Sequence, residues 1–538
     1  MNFTASLFDE LQSIFPDTKT EEGVSYYGIT SASGSYPGVQ IMLNGLEIGQ
    51  AVTFEIFGPN QNYELYEMIP VPVEYNSGAI ERTELLDGLY NKDVLRRAPF
   101  LIYEVQHPIL NISRANASAM AFTFRIKLHC DVKECQKWIL SVSHCGITKR
   151  LEFIVDAYPV EIPKAGKDTF KYINWFSYNN LARIHHVTKW SEEYEKMLLS
   201  YYQLAAYTRQ TMVTFWADDL FDLVDGKPVF NSKHFDTMLS LADKAGIYWI
   251  NGGHFAKRKD SDWMATKAEL LIGRAVLPGD GEEMLADMCK ELYAYICKKG
   301  VQDRWIQSFF DEPLDCSSNV YRLGTSIIKE HMPSIPILEA TIARESIQDT
   351  VNIWCPTVKE YENDFAFFEE RAAKGDRIFV YTCLQPAGNY CNRLLDMERL
   401  RCVYLGLAPM KYTNIEGFLH WGGSFIRELV DIYSSSVSYA PPKGRFEPTP
   451  NFEPIPNNLL PPGDHVIFYP GNGYALSSTR AEAHRIGLED LCLFTMLKEK
   501  NPSLSKELFN TLFRSYADYE KSVELYRSVK ARLIQALL

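Results

Sequence analysis

Asp311 and Glu312 stand side by side at the end of an apolar segment and directly before Pro313. Such a pair can perform acid–base chemistry when one carboxyl group carries a proton while its neighbour stays charged. The alternative interpretation is a helix start, with an acidic cap and a proline in the first turn. Because the pair follows a predicted strand and many aromatic residues lie at other strand ends, we predict that Asp311 and Glu312 are catalytic.

The spacing of the two acids restricts the mechanism. Glycoside hydrolases usually hold two carboxylates roughly 5–5.5 Å apart for retention or 6.5–9.5 Å apart for inversion, commonly on opposite sides of the sugar. Neighbouring residues have Cα atoms about 3.8 Å apart and leave one short segment, which is hard to reconcile with that arrangement. The pair fits a mechanism in which the substrate's own 2-acetamido oxygen is the nucleophile. Asp311 would hold the acetamido N–H, and Glu312 would act as general acid and then as general base.

Aromatic residues at the ends of other predicted strands favour a sugar-binding mouth. Flat rings with a polar edge suit the faces of pyranose sugars, although each ring taken singly could belong to the core. Two polar residues in Ile-Asn-Gly-Gly-His-Phe leave the third strand near the same mouth. The predicted substrate-binding residues are Trp175, Trp216, Asn251, His254, Trp354, Tyr381 and Trp421.

Alternating strands and helices are predicted to position these residues. The eight predicted strands are 170–176, 212–216, 248–251, 305–310, 336–341, 351–354, 378–381 and 417–421. Helices are predicted between them, for example over 282–299 and 320–331. Eight such strands across about 250 residues predict an α/β fold, a (β/α)8 TIM-like barrel, whose active site lies at the carboxyl ends of the strands. A doubly wound open sheet is the alternative, but no Gly-rich phosphate loop follows the first strand.

Three segments are predicted from the change in pattern along the chain. Residues 1–160 carry short alternating strands with turn residues between them, which predicts a β-sandwich domain. Residues 164–430 form the predicted catalytic barrel. Residues 431–538 are predicted to be a Pro-rich excursion, between Tyr439 and Pro462, followed by C-terminal helices packed on the barrel.

Composition excludes several classes of partner. The net charge of −13 over 538 residues argues against nucleic acid and anionic membrane surfaces, which attract clustered Lys and Arg. No apolar run approaches the roughly 18–20 residues that span a bilayer. The start of the chain lacks the pattern of a signal peptide, so we expect a cytoplasmic protein, or a secreted one if a leader has been removed. No cofactor or metal is expected, and the oligomeric state is left open.

Six motifs occur in an order that resembles glycoside hydrolase family 123. They are Phe310–Pro313, Trp354–Pro356, Phe379–Tyr381, Glu416–Gly422, Tyr469–Gly471 and Ser477–Asp490. Characterised members of that family are β-N-acetylgalactosaminidases. The resemblance implies retention by substrate assistance with Asp311 and Glu312 as the pair, and it places Tyr381 and Trp421 near the sugar pocket. It also implies a structural ion-pair network around residues 480–490. Phe379 departs from the family pattern, where a Trp is more usual.

The leading hypothesis is therefore an exo-acting β-N-acetylgalactosaminidase whose partner is a glycan with a terminal N-acetylgalactosamine. A second hypothesis keeps Glu312 as the acid but uses Glu339 as the nucleophile on a glycan without the acetamido group. A carbohydrate-binding protein without catalysis is the third. A metal-dependent enzyme that uses Asp311, Glu312 and Glu339 is the fourth.

Overall fold

The computed structural model describes residues 3–426, 431–439 and 459–538. Most of the predicted Pro-rich excursion, residues 440–458, lies outside the described residues. Within the described ranges, no helix has the length and apolar character needed to cross a membrane.

The N-terminal region is rich in β-sheet, as predicted. Its strands are β1 (Thr4–Asp9), β2 (Tyr26–Ser33), β3 (Gly38–Asn44), β4 (Ala51–Phe57), β5 (Tyr63–Val73), β6 (Phe100–Ile109), β7 (Ile112–Arg114), β8 (Ala119–Ile126), β9 (Glu134–His144) and β10 (Ile147–Glu161), with a short helix α1 (Glu84–Asp87). One sheet has the order β1-β3-β8-β5-β6 and the other β2-β10-β9-β4-β7. Alternate residues of both sheets, such as Ile41, Phe122, Trp138 and Phe153, meet in one buried cluster.

The following region alternates parallel strands with helices. Its strands are β11 (Lys171–Phe176), β12 (Met212–Phe215), β13 (Phe221–Val224), β14 (Lys227–Phe230), β15 (Trp249–Gly252), β16 (Ala256–Arg258), β17 (Ala268–Leu270), β18 (Val276–Leu277), β19 (Trp305–Gln307), β20 (Leu338–Ala340), β21 (Ile353–Cys355), β22 (Arg377–Thr382) and β23 (Ile415–Ser424). Its helices are α2 (Tyr178–Ile184), α3 (Glu192–Tyr207), α4 (Ala217–Leu220), α5 (Ser232–Ala245), α6 (Gly281–Lys299), α7 (Ser318–His331), α8 (Val358–Asn363), α9 (Phe365–Ala373) and α10 (Arg399–Leu407). All eight predicted strands are present, most of them shorter than expected.

The eight strands form two parallel sheets. Five strands in the order β11-β23-β22-β21-β20 make a half-barrel, and three more in the order β12-β15-β19 make a second sheet. Two narrow junctions connect them. Gln307 and Ile337 form a parallel bridge at one junction. At the other, the Thr211 amide donates to the Tyr172 carbonyl at 3.0 Å. The mixed α/β class with a parallel half-barrel sheet is confirmed.

The C-terminal part contacts both preceding regions. It comprises β24 (Ser438–Tyr439), β25 (Leu459–Leu460), β26 (Tyr469–Pro470), β27 (Ala475–Ser478), α11 (Thr479–Lys500), α12 (Pro502–Leu512), β28 (Phe513–Ser515), β29 (Asp518–Tyr519) and α13 (Val523–Leu537). Helix α11 packs on α10, whereas β27 extends the first N-terminal sheet beside β6 and α13 lies against β2. The C-terminal segment therefore joins the two regions and does not pack on the parallel sheets alone.

A buried ion-pair network lies where these parts meet. Arg480 pairs with Glu104 at 2.6 Å, and Arg399 approaches the same carboxylate at 3.3 Å. Further along α11, Arg485 pairs with Glu482 at 2.9 Å and with Glu489 at 2.6 Å. The Arg485 pairs lie within α11, whereas the Arg480–Glu104 pair connects α11 to β6.

Candidate active site

The acidic pair lies just past β19, where the backbone leaves the sheet. The Phe309 amide no longer pairs with a strand and donates to the Glu339 carboxylate at 3.0 Å. Glu312 has φ +47°, a left-handed conformation that non-glycine residues adopt at a cost of about 1–3 kcal/mol. The Arg258 guanidinium donates to the Glu312 carbonyl and holds it. A strained conformation that neighbouring groups hold in place is typical of a functional residue.

The environment of Glu312 favours a protonated carboxyl group. Glu312 is half-buried in the pocket wall, and its side chain accepts a hydrogen bond from the Tyr381 hydroxyl. Burial, followed by the charge of Asp311, raises the pKa of Glu312 to about 8, although the Tyr381 hydrogen bond and Arg258 act in the opposite direction. A carboxyl group that keeps its proton at neutral pH can serve as a general acid.

Asp311 has a different environment, with a histidine and a second carboxyl group behind it. His254 Nε2 lies 3.0 Å from Glu339 Oε1, and one oxygen of Asp311 belongs to the same cluster, whose atoms lie within 4.8 Å of one another. Burial alone would lower the pKa of His254, but Glu339 and then Asp311 raise it. The raised pKa of His254 favours a charged imidazolium, which would place a positive charge beside Asp311.

The same three side chains, those of His254, Asp311 and Glu339, could together hold a metal ion. In the structure His254 and Glu339 are bonded to each other, and Asp311 lies beside them. Glu312, which the metal-dependent hypothesis includes, points instead to Tyr381. The residues that could bind a metal therefore include His254 in place of Glu312, which the metal-dependent hypothesis names.

A pocket with a cavity volume of about 450 Å³ opens above the pair. Its lining includes Trp175, Asp311, Glu312, Tyr381, Trp421 and Asp464. Trp175, Tyr381 and Asp464 are buried and form its floor. The structure thus brings three of the predicted aromatic residues into one cavity with both predicted acids.

Three other predicted residues support the pocket from behind. Trp216 packs edge-on against Trp175 with ring centroids 5.4 Å apart, and its indole N–H donates to the Phe176 carbonyl at 2.8 Å. Asn251 is fully buried and donates to Ser308 Oγ at 3.1 Å. His254 lies behind Asp311 as described. These residues position the pocket wall, and the lining of the cavity does not include Trp216, Asn251 or His254.

Trp354 does not reach the pocket, and we correct that prediction. Its indole N–H donates to Asp376 at 2.8 Å, and its ring packs against Phe367 and Phe368 of α9. Side chains alternate along a strand, and the neighbours Ile353 and Cys355 are the ones that join the cluster of residues inside the parallel strands. Trp354 therefore belongs to the helix–sheet interface.

Asp464 is a pocket residue that sequence reasoning missed. It is fully buried, and its Oδ1 accepts a hydrogen bond from the Trp421 indole at 3.3 Å. Its Oδ2 has no hydrogen-bond partner in the part of the chain that the structure describes. Burial raises the pKa of Asp464 to about 7, against the opposing effects of Arg393 and the Trp421 hydrogen bond. Nothing in the Gly-Asp-His sequence at 463–465 indicates this position, because it depends on how the segment returns to β23.

Comparisons with known proteins identify the family of the chain and structures of similar fold. The family model for the glycoside hydrolase 123 catalytic domain matches residues 175–497. A family 123 glycoside hydrolase from Clostridium perfringens, studied for glycolipid glycan hydrolysis, is similar in fold with a TM-score of 0.71 and 13% identity. The alignment covers 100% of this chain and 97% of that one. A family 39 glycoside hydrolase from Bacteroides cellulosilyticus WH2 matches with a TM-score of 0.37 and 9% identity, over 86% of this chain and 81% of that one. No curated protein sequence matches the chain.

Proposed function

The chain belongs to glycoside hydrolase family 123, and we propose that it is an exo-acting β-N-acetylgalactosaminidase that works by substrate assistance with retention. The observation that carries the proposal is the pair Asp311 and Glu312 in two different electrostatic environments. Burial and the charge of Asp311 raise the pKa of Glu312, whereas Asp311 faces the pocket with His254 behind it. The pair matches the division of work that a substrate-assisted reaction requires.

The reaction proceeds in two steps. In the first, Glu312 gives its proton to the glycosidic oxygen while the acetamido carbonyl oxygen attacks the anomeric carbon, which releases the leaving group. Asp311 accepts the acetamido N–H and stabilises the oxazolinium ion by its charge. In the second, the Glu312 carboxylate takes a proton from water, whose oxygen attacks the same carbon and regenerates the acetamido group.

The other carboxyl groups near the pair are poor candidates for a nucleophile. Both oxygens of Glu339 are engaged, one by His254 and the other by the Phe309 amide and the Tyr321 hydroxyl at 3.3 Å. Asp464 lines the pocket, but its raised pKa keeps a large share of it protonated at neutral pH. These contacts support the substrate's own acetamido group as the nucleophile.

The floor of the pocket suits a terminal sugar. Trp421 and Trp175 offer apolar ring faces, and the buried Asp464 carboxyl group holds the Trp421 indole in place by accepting its N–H. A glycolipid glycan is one source of such a terminus, since the similar Clostridium perfringens protein was studied on glycans of that kind.

The proposal includes the architecture around the site. We propose that the eight parallel strands close into one (β/α)8 barrel over residues 164–430, supported by the hydrogen bond or bridge at each junction. The two N-terminal sheets, residues 1–160, would then be a β-sandwich, supported by the cluster that they share. We propose that the helices of residues 431–538 pack on this barrel, supported by the contact of α11 with α10.

The test is hydrolysis of p-nitrophenyl β-N-acetylgalactosaminide, compared with its gluco epimer and with the plain β-galactoside. We expect selective turnover of the first substrate, a loss of about 10²–10⁴-fold in the Glu312→Gln variant, and no turnover of the plain galactoside. Asp315→Asn, a nearby acid that binds Ser346 outside the pocket, is the matched control. Efficient turnover of the plain galactoside would refute substrate assistance.

A further inference from the structure

The pocket has a closed floor and an open rim, and the reaction steps above use no residue of the rim. Trp263 lies at the rim and is 48% exposed, whereas Tyr381 and Asp464 on the floor are 4% and 0% exposed. The neighbouring rim residues Glu81 and Arg82 come from the N-terminal region and are half-buried. An exo-acting enzyme holds the terminal sugar at the closed end, so the leaving group points to this rim.

Trp263 is held close to the proton donor. The Arg258 guanidinium lies 3.9 Å from the centre of the Trp263 ring, a cation–π contact. The same guanidinium donates to the Glu312 carbonyl. One arginine therefore separates the ring from the residue that protonates the glycosidic oxygen. Trp263 and Glu312 line the same pocket, with Trp263 at its exposed rim.

The Glu81–Arg82 turn supplies polar groups at the same rim, and its position is fixed. The Arg82 amide donates to the Leu384 carbonyl at 2.8 Å, which ties the turn to the loop after β22. Within the turn, the amides of Ile80 and Glu81 donate to Asp87 at 2.8 and 3.3 Å. Arg82 has φ +55°, a conformation that the surrounding contacts hold at some cost. A strained, well-tied turn at a pocket is suited to precise placement of its side chains.

We infer that Trp263 and the Glu81–Arg82 turn form a binding site for a second sugar, the one on the leaving-group side of the cleaved bond. A flat indole fits the apolar face of a pyranose, and a carboxylate with a guanidinium binds its hydroxyl groups. The substrates are then β-linked oligosaccharides or glycans, and simple glycosides are cleaved less efficiently. The inference rests on the proposed function.

The experiment compares two ligands of different length on the full chain. The first is a disaccharide of N-acetylgalactosamine β-linked to galactose, which fills both sugar sites. The second is the galacto-configured thiazoline, an inhibitor that mimics the oxazoline intermediate and fills only the terminal site. Trp263→Ala is expected to lower kcat/KM for the disaccharide about tenfold, which is the size of one lost aromatic contact. The inhibition constant of the thiazoline stays within about twofold, because that ligand does not reach Trp263.

Two further variants separate stacking from disturbance of the loop. Trp263→Phe keeps an aromatic face and recovers most of the disaccharide activity. Met264→Ala removes the adjacent side chain, which is 65% exposed and outside the pocket lining, and leaves both values unchanged.

The outcomes distinguish the inference from the proposed function. A Trp263→Ala enzyme with unchanged disaccharide activity would overturn the inference and leave the proposed function standing. A parallel loss of thiazoline binding would also overturn it, since Trp263 would then act through Arg258 on the catalytic pair. A wild-type enzyme that neither cleaves the disaccharide nor binds the thiazoline would overturn the proposed function, and the inference with it.

Discussion

The proposed chemistry of the site depends on the protonation of Glu312, beside the carboxyl group of Asp311. Burial and the Asp311 charge favour the protonated form of Glu312, while the Tyr381 hydrogen bond favours its ionised form. The proposed mechanism needs both forms, since in it Glu312 first gives a proton and then takes one. Tyr381 therefore sets how easily the residue changes between its two roles.

Removal of that hydroxyl group should shift the pH profile. In Tyr381→Phe the pKa of Glu312 rises further, because the bond that stabilises the carboxylate is lost. The alkaline limb of kcat/KM, which reports loss of the Glu312 proton near pH 8 in the wild type, moves to higher pH. We also expect kcat to fall by about tenfold, since the carboxylate is a poorer product of the first step. Tyr412→Phe removes a tyrosine hydroxyl bonded to Glu362 outside the pocket lining and is the control. An alkaline limb at the same pH in Tyr381→Phe and in the wild type would contradict this account.

The raised pKa of Glu312 also predicts a change in stability. Between the ordinary pKa of a glutamate and about 8, the folded state binds one proton more than the unfolded state at this residue. Its contribution to the free energy of unfolding is therefore complete at low pH and is lost as the pH rises through that window. Glu312→Gln removes this loss, so the variant should melt at a higher temperature than the wild type at pH 8 and differ less at pH 5. Equal melting temperatures at both values would show that Glu312 is not desolvated in the folded protein.

The strand or loop that carries a residue determines whether its side chain reaches the pocket. The sequence predicted these positions only in part. Strand positions followed from apolar runs, and the acids followed from the end of one such run. The face of a short strand was harder to assign, because a shift of one residue exchanges the two sides. Trp354 was misplaced for this reason. Asp464 was missed because tertiary contacts bring it to β23, where the Phe425 amide donates to the His465 carbonyl at 2.9 Å.

The contact between β23 and the segment around Asp464 can be tested by a substitution that adds a single methyl group, Gly422→Ala. A Cβ atom at Gly422 would lie 1.9 Å from the Asp464 carbonyl oxygen, so Gly422→Ala must displace that segment. We expect a loss of stability of about 1–3 kcal/mol from overpacking, together with a rise in KM as Asp464 and Trp421 move. Gly166→Ala, where the added Cβ meets no atom within 4 Å, should leave both unchanged. A KM in Gly422→Ala equal to that of the wild type would show that substrate binding does not depend on the position of Asp464 and Trp421.

The whole molecule is held together by contacts that join distant parts of the chain. β27 extends an N-terminal sheet, α11 packs on α10, and the ion pairs of Arg480 join α11 to β6. The Glu81–Arg82 turn is tied to the loop after β22 across the same boundary. The N-terminal region therefore contributes to the pocket directly and is more than a neighbouring domain.

The Arg480–Glu104 pair provides a test at this scale. Arg480→Met leaves Glu104 buried with less compensation and should lower the free energy of unfolding by about 3–5 kcal/mol. Adding Glu104→Gln should recover part of that loss, because the buried charge is then removed. Arg514→Met breaks an exposed pair with Asp518 and should cost at most about 1 kcal/mol. Equal effects at the two arginines would contradict the structural role of the buried network.

The central claim is that the substrate's acetamido oxygen is the nucleophile at the Asp311–Glu312 pair. The most direct measurement is kcat/KM for p-nitrophenyl β-N-acetylgalactosaminides whose acetyl group carries zero, one, two or three fluorine atoms. Fluorine withdraws electrons from the amide oxygen and weakens it as a nucleophile. We predict that kcat/KM falls steeply and progressively across the series. A rate that is independent of fluorination would contradict the account and would show that a group of the protein attacks the sugar.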